Sequence, residues 1–146
     1  MIEKLNVKNE KYLLDMVEQL KNETGEVIDV RVSNNKLKTA FLFSKGDEYL
    51  GFLVCYTKLV ETSDGIKKIG VNEGAFVNNK DFVINMLLLA KFEQWAYDRN
   101  CDYVMSRVVG EVENQYTYFT HTGYKVTKDD AFLIKKLDKR NLCLNR

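Results

Sequence analysis

Residues Asn78–Cys101 read NNKDFVINMLLLAKFEQWAYDRNC, and this segment predicts how the whole chain is organised. It opens with a polar turn in which Asn79 or Asp81 is a suitable helix N-cap, because either side chain can accept from an exposed backbone N–H. Apolar residues then crowd every side of the first half, whereas the second half keeps one apolar face at helical spacing, formed by Leu88, Phe92 and Trp95. The pattern predicts a helix that is buried at its beginning and half exposed at its end.

The segments on either side of this helix predict strands, Ile66–Val77 before it and Tyr103–Val109 after it. A strand, a buried helix and a second strand form a crossover unit, because parallel strands need a long connection between them. At least part of the sheet is therefore expected to be parallel, with the helix lying across it.

The first third of the chain predicts a helix and a loop. The helix covers Asn9–Asn22, because four apolar residues recur there at helical spacing, namely Leu13, Met16, Val17 and Leu20. A short strand over Ile2–Val7 is expected before it. The mostly polar segment Glu23–Leu37 predicts a loop with at most a short strand. A long irregular segment of this kind is where a substrate-contacting loop is expected.

Three successive strands are predicted in the middle of the chain. Lys38–Ser44 and Glu48–Leu59 alternate in hydrophobicity around a hairpin loop at Lys45–Asp47. The turn Ser63–Gly65 then leads into Ile66–Val77. Alternation predicts that five residues of this third strand share one face, namely Ile69, Val71, Glu73, Ala75 and Val77.

The C-terminal part predicts a short helix over Glu111–Thr122, ended by Gly123, and then a hairpin of Tyr124–Val126 and Ala131–Leu137. The fold class expected is α/β, in one domain covering residues 1–146. Its mixed sheet would consist of a three-strand antiparallel meander, a crossover helix, a parallel strand, a short helix and a C-terminal hairpin.

Composition narrows the class of protein. A chain of 146 residues with 45% hydrophobic and 29% charged residues predicts one soluble globular domain. The net charge of +1 argues against nucleic acid or an anionic membrane as partner. No apolar run approaches the roughly twenty residues that span a bilayer, and the charges of Met1–Lys11 argue against a signal sequence. The three cysteines have no metal-site or redox spacing, which predicts reduced thiols in the cytoplasm and no bound metal.

Two stretches resemble one known family. The stretch LLLAKFEQWAYDRNCDYV, from Leu87 to Val104, is similar to the central helix and following strand of the GNAT superfamily of acyl-CoA-dependent N-acetyltransferases. The stretch YTYFTHTGYKV, from Tyr116 to Val126, resembles a later segment of that family, in which an aromatic residue stands four positions before a Gly-aromatic pair, here Gly123-Tyr124. The predicted order of elements matches the family over nearly the whole chain. The resemblance implies acetyl-CoA as the acyl donor if the protein is active.

In that family the turn before the central helix reads Arg/Gln-x-x-Gly-x-Gly/Ala, and its backbone amides hold the CoA diphosphate. Donors at a helix N-terminus point at the anion, and glycine allows the close approach. The resemblance places Val83 and Asn85 at the small-residue positions, and it places Asp81 where a carboxylate would compete with a phosphate. The cofactor-binding residues implied for this turn are Lys80, Phe82, Val83, Ile84 and Asn85. The alternative interpretation is a self-capped helix with no ligand.

A general acid and a general base are also implied by the resemblance. The family often uses a tyrosine four residues before the Gly-aromatic pair, where this chain has Phe119, which has no proton to give. Tyr118 is the neighbouring candidate, although one helical position turns a side chain by about 100°. Glu73 lies on the strand beside the expected acyl site, where burial would raise its pKa and suit it to act as a base. The alternative for Tyr118 is a core or surface aromatic residue without a catalytic role. The alternative for Glu73 is a carboxylate that is exposed or paired with a lysine.

Two functions follow as hypotheses. The first is an acyl-CoA-dependent N-acetyltransferase acting on a small-molecule or protein amine, with Glu73 as base and Tyr118 as acid. In it the strand edge formed by Ala75, Phe76 and Val77 orients the acyl carbonyl through its backbone amides. The second is a catalytically degraded binding or structural module, with a protein partner or a second copy of itself, for instance a subunit of a virus particle. The departures at Val83, Asn85 and Phe119 favour the second function, and the order of elements favours neither.

Overall fold

The computed structural model describes residues 1–30, 38–78, 81–107, 119–126 and 132–137. These residues form one mixed sheet with a helix against each face. The helices are α1 (Glu10–Thr24) and α2 (Phe82–Asp98). The strands are β1 (Ile2–Lys4), β2 (Lys38–Lys45), β3 (Glu48–Thr62), β4 (Gly65–Val77), β5 (Tyr103–Arg107), β6 (Lys125–Val126) and β7 (Phe132–Lys136).

The strand order is β1-β2-β3-β4-β5-β7-β6. Every neighbouring pair is antiparallel except β4 and β5, which are parallel and joined by the crossover helix α2. The predicted meander, crossover and C-terminal hairpin are therefore confirmed, and so is the α/β fold class. The predicted helix over Glu111–Thr122 lies mostly outside the described residues. Residues 119–121 are helical, and Gly123 follows them with a φ of 96°, a left-handed conformation that suits glycine at a helix end.

Helix α1 follows from its apolar spacing. Leu13, Met16 and Leu20 are buried, as predicted. Gly25 ends the helix at a φ of 77°, and its N–H donates to the Lys21 carbonyl at 2.8 Å. The buried side of α1 packs on one face of the sheet, against Ala40, Leu42, Phe52, Val54 and Phe76. Beyond the helix, residues 26–30 have no regular structure, and residues 31–37 of the predicted loop lie outside the described ranges.

Helix α2 covers the opposite face of the sheet. Its predicted apolar face is confirmed, since Leu88, Phe92 and Trp95 are buried among residues of β2, β3 and β5. The helix approaches β4 closely: a Cβ added at Gly70 would lie 2.8 Å from the Cβ of Ala96. Glycine at position 70 is therefore what allows the helix to lie this near the strand.

The prediction that the first half of α2 is buried on every side is wrong. Phe82 and Val83 are 56% and 62% exposed, and Met86 and Leu87 are 44% and 45% exposed. A helix lying on a single sheet covers about one side of its surface, and none of the described elements covers the other side. An apolar surface is therefore left open over the first two turns.

Strand β4 contains a β-bulge at Glu73. Val54 of β3 pairs with Gly74, and the next residue of β3, Cys55, pairs with Asn72, so Glu73 is an extra residue in β4. An extra residue reverses the alternation of side chains along the strand.

The predicted shared face of β4 is wrong for this reason. Beyond the bulge, Ala75 and Val77 pack beneath α2, whereas Phe76 packs on the α1 face. Before it, Gly70 faces α2, so its neighbours Ile69 and Val71 point to the α1 face.

Candidate functional site

The two parallel strands at the centre of the sheet, β4 and β5, separate after four paired residues. Asn72 and Ser106 are the last register partners of β4 and β5. β4 continues to Val77, while β5 ends at Arg107, which pairs with β7. From Glu73 onward, β4 therefore presents a strand edge toward β5 that has no strand partner among the described residues. We call this feature the β4–β5 gap.

A buried polar pair lies at the closed end of the β4–β5 gap. Asn72 and Ser106 are 2% and 0% exposed, and the Asn72 Nδ2 donates to the Ser106 Oγ at 3.3 Å. The Asn72 Oδ1 is buried without a donor in the part of the chain that the structure describes. Leaving a buried amide oxygen unpaired costs about 1–3 kcal/mol. Sequence reasoning missed this pair, although asparagine is depleted in strands and its place in the middle of one could have marked it.

Glu73 stands at the bulge, at the start of the open edge. Its side chain is half buried. Burial raises the pKa of the neighbouring Tyr56 hydroxyl on β3, and the negative charge of Glu73 raises it further. The pair therefore combines a carboxylate with a phenol that keeps its proton at neutral pH. Sequence reasoning did not identify Tyr56, because the register that pairs β3 with β4 cannot be read from either strand alone.

Ala75, Phe76 and Val77 form the remainder of the open edge. The side chains of Ala75 and Val77 pack against the core beneath α2. The Phe76 ring packs against Phe52, with ring centroids 6.0 Å apart. These three residues are therefore able to contribute main-chain groups to the gap, which is the role predicted for them. A strand edge of free N–H and C=O groups suits an extended arm that contains amides.

The N-terminus of α2 is already occupied by its own cap. The Asp81 Oδ1 accepts from the Val83 N–H at 3.0 Å and from the Ile84 N–H at 3.3 Å. Asp81 is thus the N-cap, one of the two residues predicted for this role. The Asn85 N–H donates to the Asp81 carbonyl at 3.2 Å.

This geometry does not fit a diphosphate. The Val83 and Ile84 amides are paired with a carboxylate, and the carboxylate adds negative charge where phosphates would lie. The Ile84 side chain is buried in the core, and the exposed side chains of Phe82 and Val83 are apolar. Lys80, the predicted cation of this turn, lies outside the described residues.

The position of the expected general acid is part of the core. Phe119 is 5% exposed, and its ring meets the ring of Tyr124 edge to face at 5.0 Å between centroids. Phe119 therefore contributes to core packing, and its side chain has no proton to donate. Tyr118, the predicted alternative, lies outside the described residues, and its role stays a prediction.

Polar contacts attach the segment after α1 to the open end of the sheet. The guanidinium of Arg107, at the end of β5, contacts the Glu26 carboxylate at 3.2 Å and the Val27 carbonyl at 3.5 Å. From α1, the Gln19 Nε2 donates to the Asn78 Oδ1 at 3.3 Å, just beyond β4. These contacts place the beginning of the predicted substrate-contacting loop beside the gap.

No group of three or more histidine, cysteine, aspartate or glutamate side chains that could hold a metal ion occurs within the described ranges. Among the helices described, none is long and apolar enough to cross a membrane.

Comparison with known proteins identifies the fold. No family model matches the chain, and no curated protein matches it in sequence. Solved structures do match. The aminoglycoside N-acetyltransferase AAC(6')-Iy in complex with CoA is 14% identical, with a TM-score of 0.71 over 88% of this chain and 93% of that one. An acetyltransferase of the GNAT family from Staphylococcus aureus Mu50 is 13% identical, with a TM-score of 0.67 over 94% and 99%.

A third similar structure, the NatC complex bound to Gag peptide and CoA, is 15% identical, with a TM-score of 0.70 over 94% of this chain and 98% of that one. The α/β sheet with its crossover helix is thus the fold that this chain shares with these acetyltransferases, one of which is described as a member of the GNAT family.

Proposed function

We propose that this protein is an N-acyltransferase that moves an acyl group from a pantetheine thioester to an amine. The observation that carries the proposal is the β4–β5 gap, a strand edge inside the sheet with a carboxylate at its start. Such a thioester, of which acetyl-CoA is one example, contains an extended arm with two amides. Similar structures with CoA bound support this choice of donor.

In the proposed complex, the arm lies along the open edge of β4 and pairs with its main chain as an added strand would. The backbone amides of Ala75–Val77 then orient the acyl carbonyl and stabilise the negative charge that develops on its oxygen. Holding the thioester in this way also makes the reaction effectively intramolecular.

Glu73 is proposed to act as the general base. The amine nitrogen forms a bond to the acyl carbon, the carbon–sulfur bond breaks, and the sulfur leaves as a thiolate. The proton lost by the nitrogen passes to the Glu73 carboxylate directly or through one water. A thiol has a pKa of about 8.5, so its thiolate leaves readily, and protonation by Tyr118 is proposed as an additional contribution only.

The amine would enter beside Glu26 and Val27, which Arg107 attaches to the open end of the sheet. A small-molecule or peptide amine suits such an open approach. Cys55 and Cys101 are buried and are not joined in a disulfide, which supports the cytoplasm as the proposed compartment.

The decisive experiment measures thiol release from acetyl-CoA and from S-acetylpantetheine in the presence of a panel of amines. We expect Glu73→Gln to lower kcat by about 10²–10⁴-fold and to leave the KM for the thioester within a factor of three. Glu61→Gln, on the same sheet but away from the gap, is the matched control and should retain full activity. Equal turnover of the Glu73 variant and the wild type would remove the base assignment, and Tyr118→Phe tests the acid in the same assay.

The second candidate is a non-catalytic binding module, and the observations that favour it are the self-capped α2 and the exposed apolar residues beside it. It predicts that the protein turns over neither acetyl-CoA nor S-acetylpantetheine. It also predicts that neither compound gives a binding heat in calorimetry, even in large excess. It also predicts a stable complex with a protein partner or a second copy. A monomer that turns over either thioester excludes this candidate.

A further inference from the structure

Two features of the site bear differently on the acyl donor. The open edge of β4 suits the pantetheine arm, whereas the N-terminus of α2 does not suit the diphosphate of a nucleotide. We propose that the acyl donor is a thioester carried on the phosphopantetheine arm of a carrier protein, rather than on coenzyme A. This inference rests on the proposed function and specifies its substrate.

The first step is the charge at the N-terminus of α2. Asp81 pairs with the Val83 and Ile84 amides at 3.0 and 3.3 Å. Coenzyme A would bring a diphosphate and a further phosphate to this end of the sheet, next to a carboxylate that already satisfies the donors. The arm of a carrier protein joins its protein through one phosphodiester, with a single negative charge. The repulsion from Asp81 is correspondingly smaller.

The second step is the apolar surface of α2. Val83 and Leu87 lie one turn apart, as do Met86 and Ala90, and all four are exposed. We call these four residues the α2 stripe. Between residues 82 and 92 the only charged residue is Lys91, which is exposed at the edge of the stripe. Apolar patches with a charged rim are typical of protein interfaces, and this one suits an apolar partner surface with an acidic residue opposite Lys91.

The third step is position. A Cβ at Gly51 would lie 3.4 Å from Ile84 and from Leu88, and Gly51 pairs with Val77 at the end of β4. The first two turns of α2 therefore lie at the carboxyl end of β4, where the gap opens. A body seated on the α2 stripe is at the mouth through which the arm enters. One partner thus accounts for both the open strand edge and the apolar surface.

Two measurements test the proposal. In calorimetry, S-acetylpantetheine and acetyl-CoA should bind wild type with dissociation constants within threefold of each other, because the nucleotide contributes nothing. Asp81→Gly frees the amides and removes the charge, and glycine at an N-cap costs only a few tenths of a kcal/mol. This variant should bind acetyl-CoA at least tenfold more tightly, with S-acetylpantetheine nearly unchanged.

The second measurement compares donors in turnover. A purified acyl carrier protein with an acetylated phosphopantetheine arm should give a kcat/KM at least tenfold above that of acetyl-CoA. Leu87→Lys should abolish this advantage and leave the rate with S-acetylpantetheine unaltered. Leu14→Lys is the matched control, because Leu14 is a leucine of similar exposure (49%) on α1, at the other face of the sheet.

The outcomes separate the two proposals. If acetyl-CoA binds wild type at least tenfold more tightly than S-acetylpantetheine, or if the acyl carrier protein is no better a donor than acetyl-CoA, the carrier inference is overturned and the acyltransferase proposal stands. If none of the three thioesters binds or reacts, both proposals fail. Loss of carrier preference in both leucine variants also overturns the docking surface.

Discussion

At the scale of single residues, the buried side chain of Asn72, at the closed end of the β4–β5 gap, destabilises the folded protein. Within the described part of the chain, its amide oxygen is buried without a donor, and its amide nitrogen donates to the Ser106 Oγ. Replacing both members of a buried polar pair by apolar groups is neutral or stabilising, whereas removing one member leaves the other unpaired.

The double variant Asn72→Val/Ser106→Ala is therefore expected to gain about 1–2 kcal/mol in the free energy of unfolding. The single variant Ser106→Ala should lose a similar amount, because the Asn72 nitrogen is then unpaired as well. Urea unfolding of the three proteins measures both changes. If the single and double variants are destabilised equally, the pair is held by contacts other than this hydrogen bond.

Cys55 makes the stability of the protein depend on pH. Burial raises the pKa of its thiol well above the ordinary value of 9.0. Below pH 9 the thiol is protonated in both states, and its contribution to stability is constant. Above pH 9 only the unfolded state releases the proton, so the free energy of unfolding falls by up to about 1.4 kcal/mol per pH unit. The slope between pH 9 and 10 should be smaller in Cys55→Ala, as urea unfolding at several pH values can show, and equal slopes would contradict the assignment.

At the scale of elements, the close contact between β4 and α2 is set by Gly70. A methyl group there would lie 2.8 Å from the Ala96 Cβ, and both backbones would have to move. We expect Gly70→Ala to destabilise the protein by about 1–3 kcal/mol. The same change in an Ala96→Gly background should be milder, and the double-mutant cycle reports this coupling. Additive effects of the two changes would show that the helix and the strand do not limit one another at this point.

Elements also mark the limit of what could be predicted from the sequence. Helical spacing was sufficient for α1 and for the buried face of α2, since both depend on residues close together in the chain. The bulge at Glu73 was not predictable, because it is a property of the pairing with β3 and inverts the faces that alternation assigns. The exposure of Val83 and Leu87 was missed for a similar reason. An apolar residue is more stable when it is buried, but its sequence position does not show which element buries it.

At the scale of the whole molecule, β4 and β5 are paired from Ile69 to Asn72 and are separated from Glu73 onward. We call the side where they pair the fastened end and the side where they separate the open end. At the fastened end the Lys68 N–H donates to the Asp102 carboxylate at 3.0 Å, and the Lys68 Nζ donates to the Arg99 carbonyl at 2.7 Å. At the open end, the side chain of Arg107 on β5 contacts Glu26 of the segment after α1. Under the proposed function, the thioester therefore binds at the open end of the sheet.

The last prediction follows from this asymmetry and is read by amide hydrogen exchange. Without ligand, the amides of Glu73–Val77 that face β5 should exchange quickly, because no strand of the described chain pairs with them. S-acetylpantetheine bound in the gap pairs with these amides, so peptides covering residues 73–77 should slow by tenfold or more. Peptides covering Ile69–Val71 are the internal control, since these residues pair with both β3 and β5. Slowing of both segments would indicate general stabilisation, and slowing of neither at saturating ligand would place the thioester elsewhere on the protein.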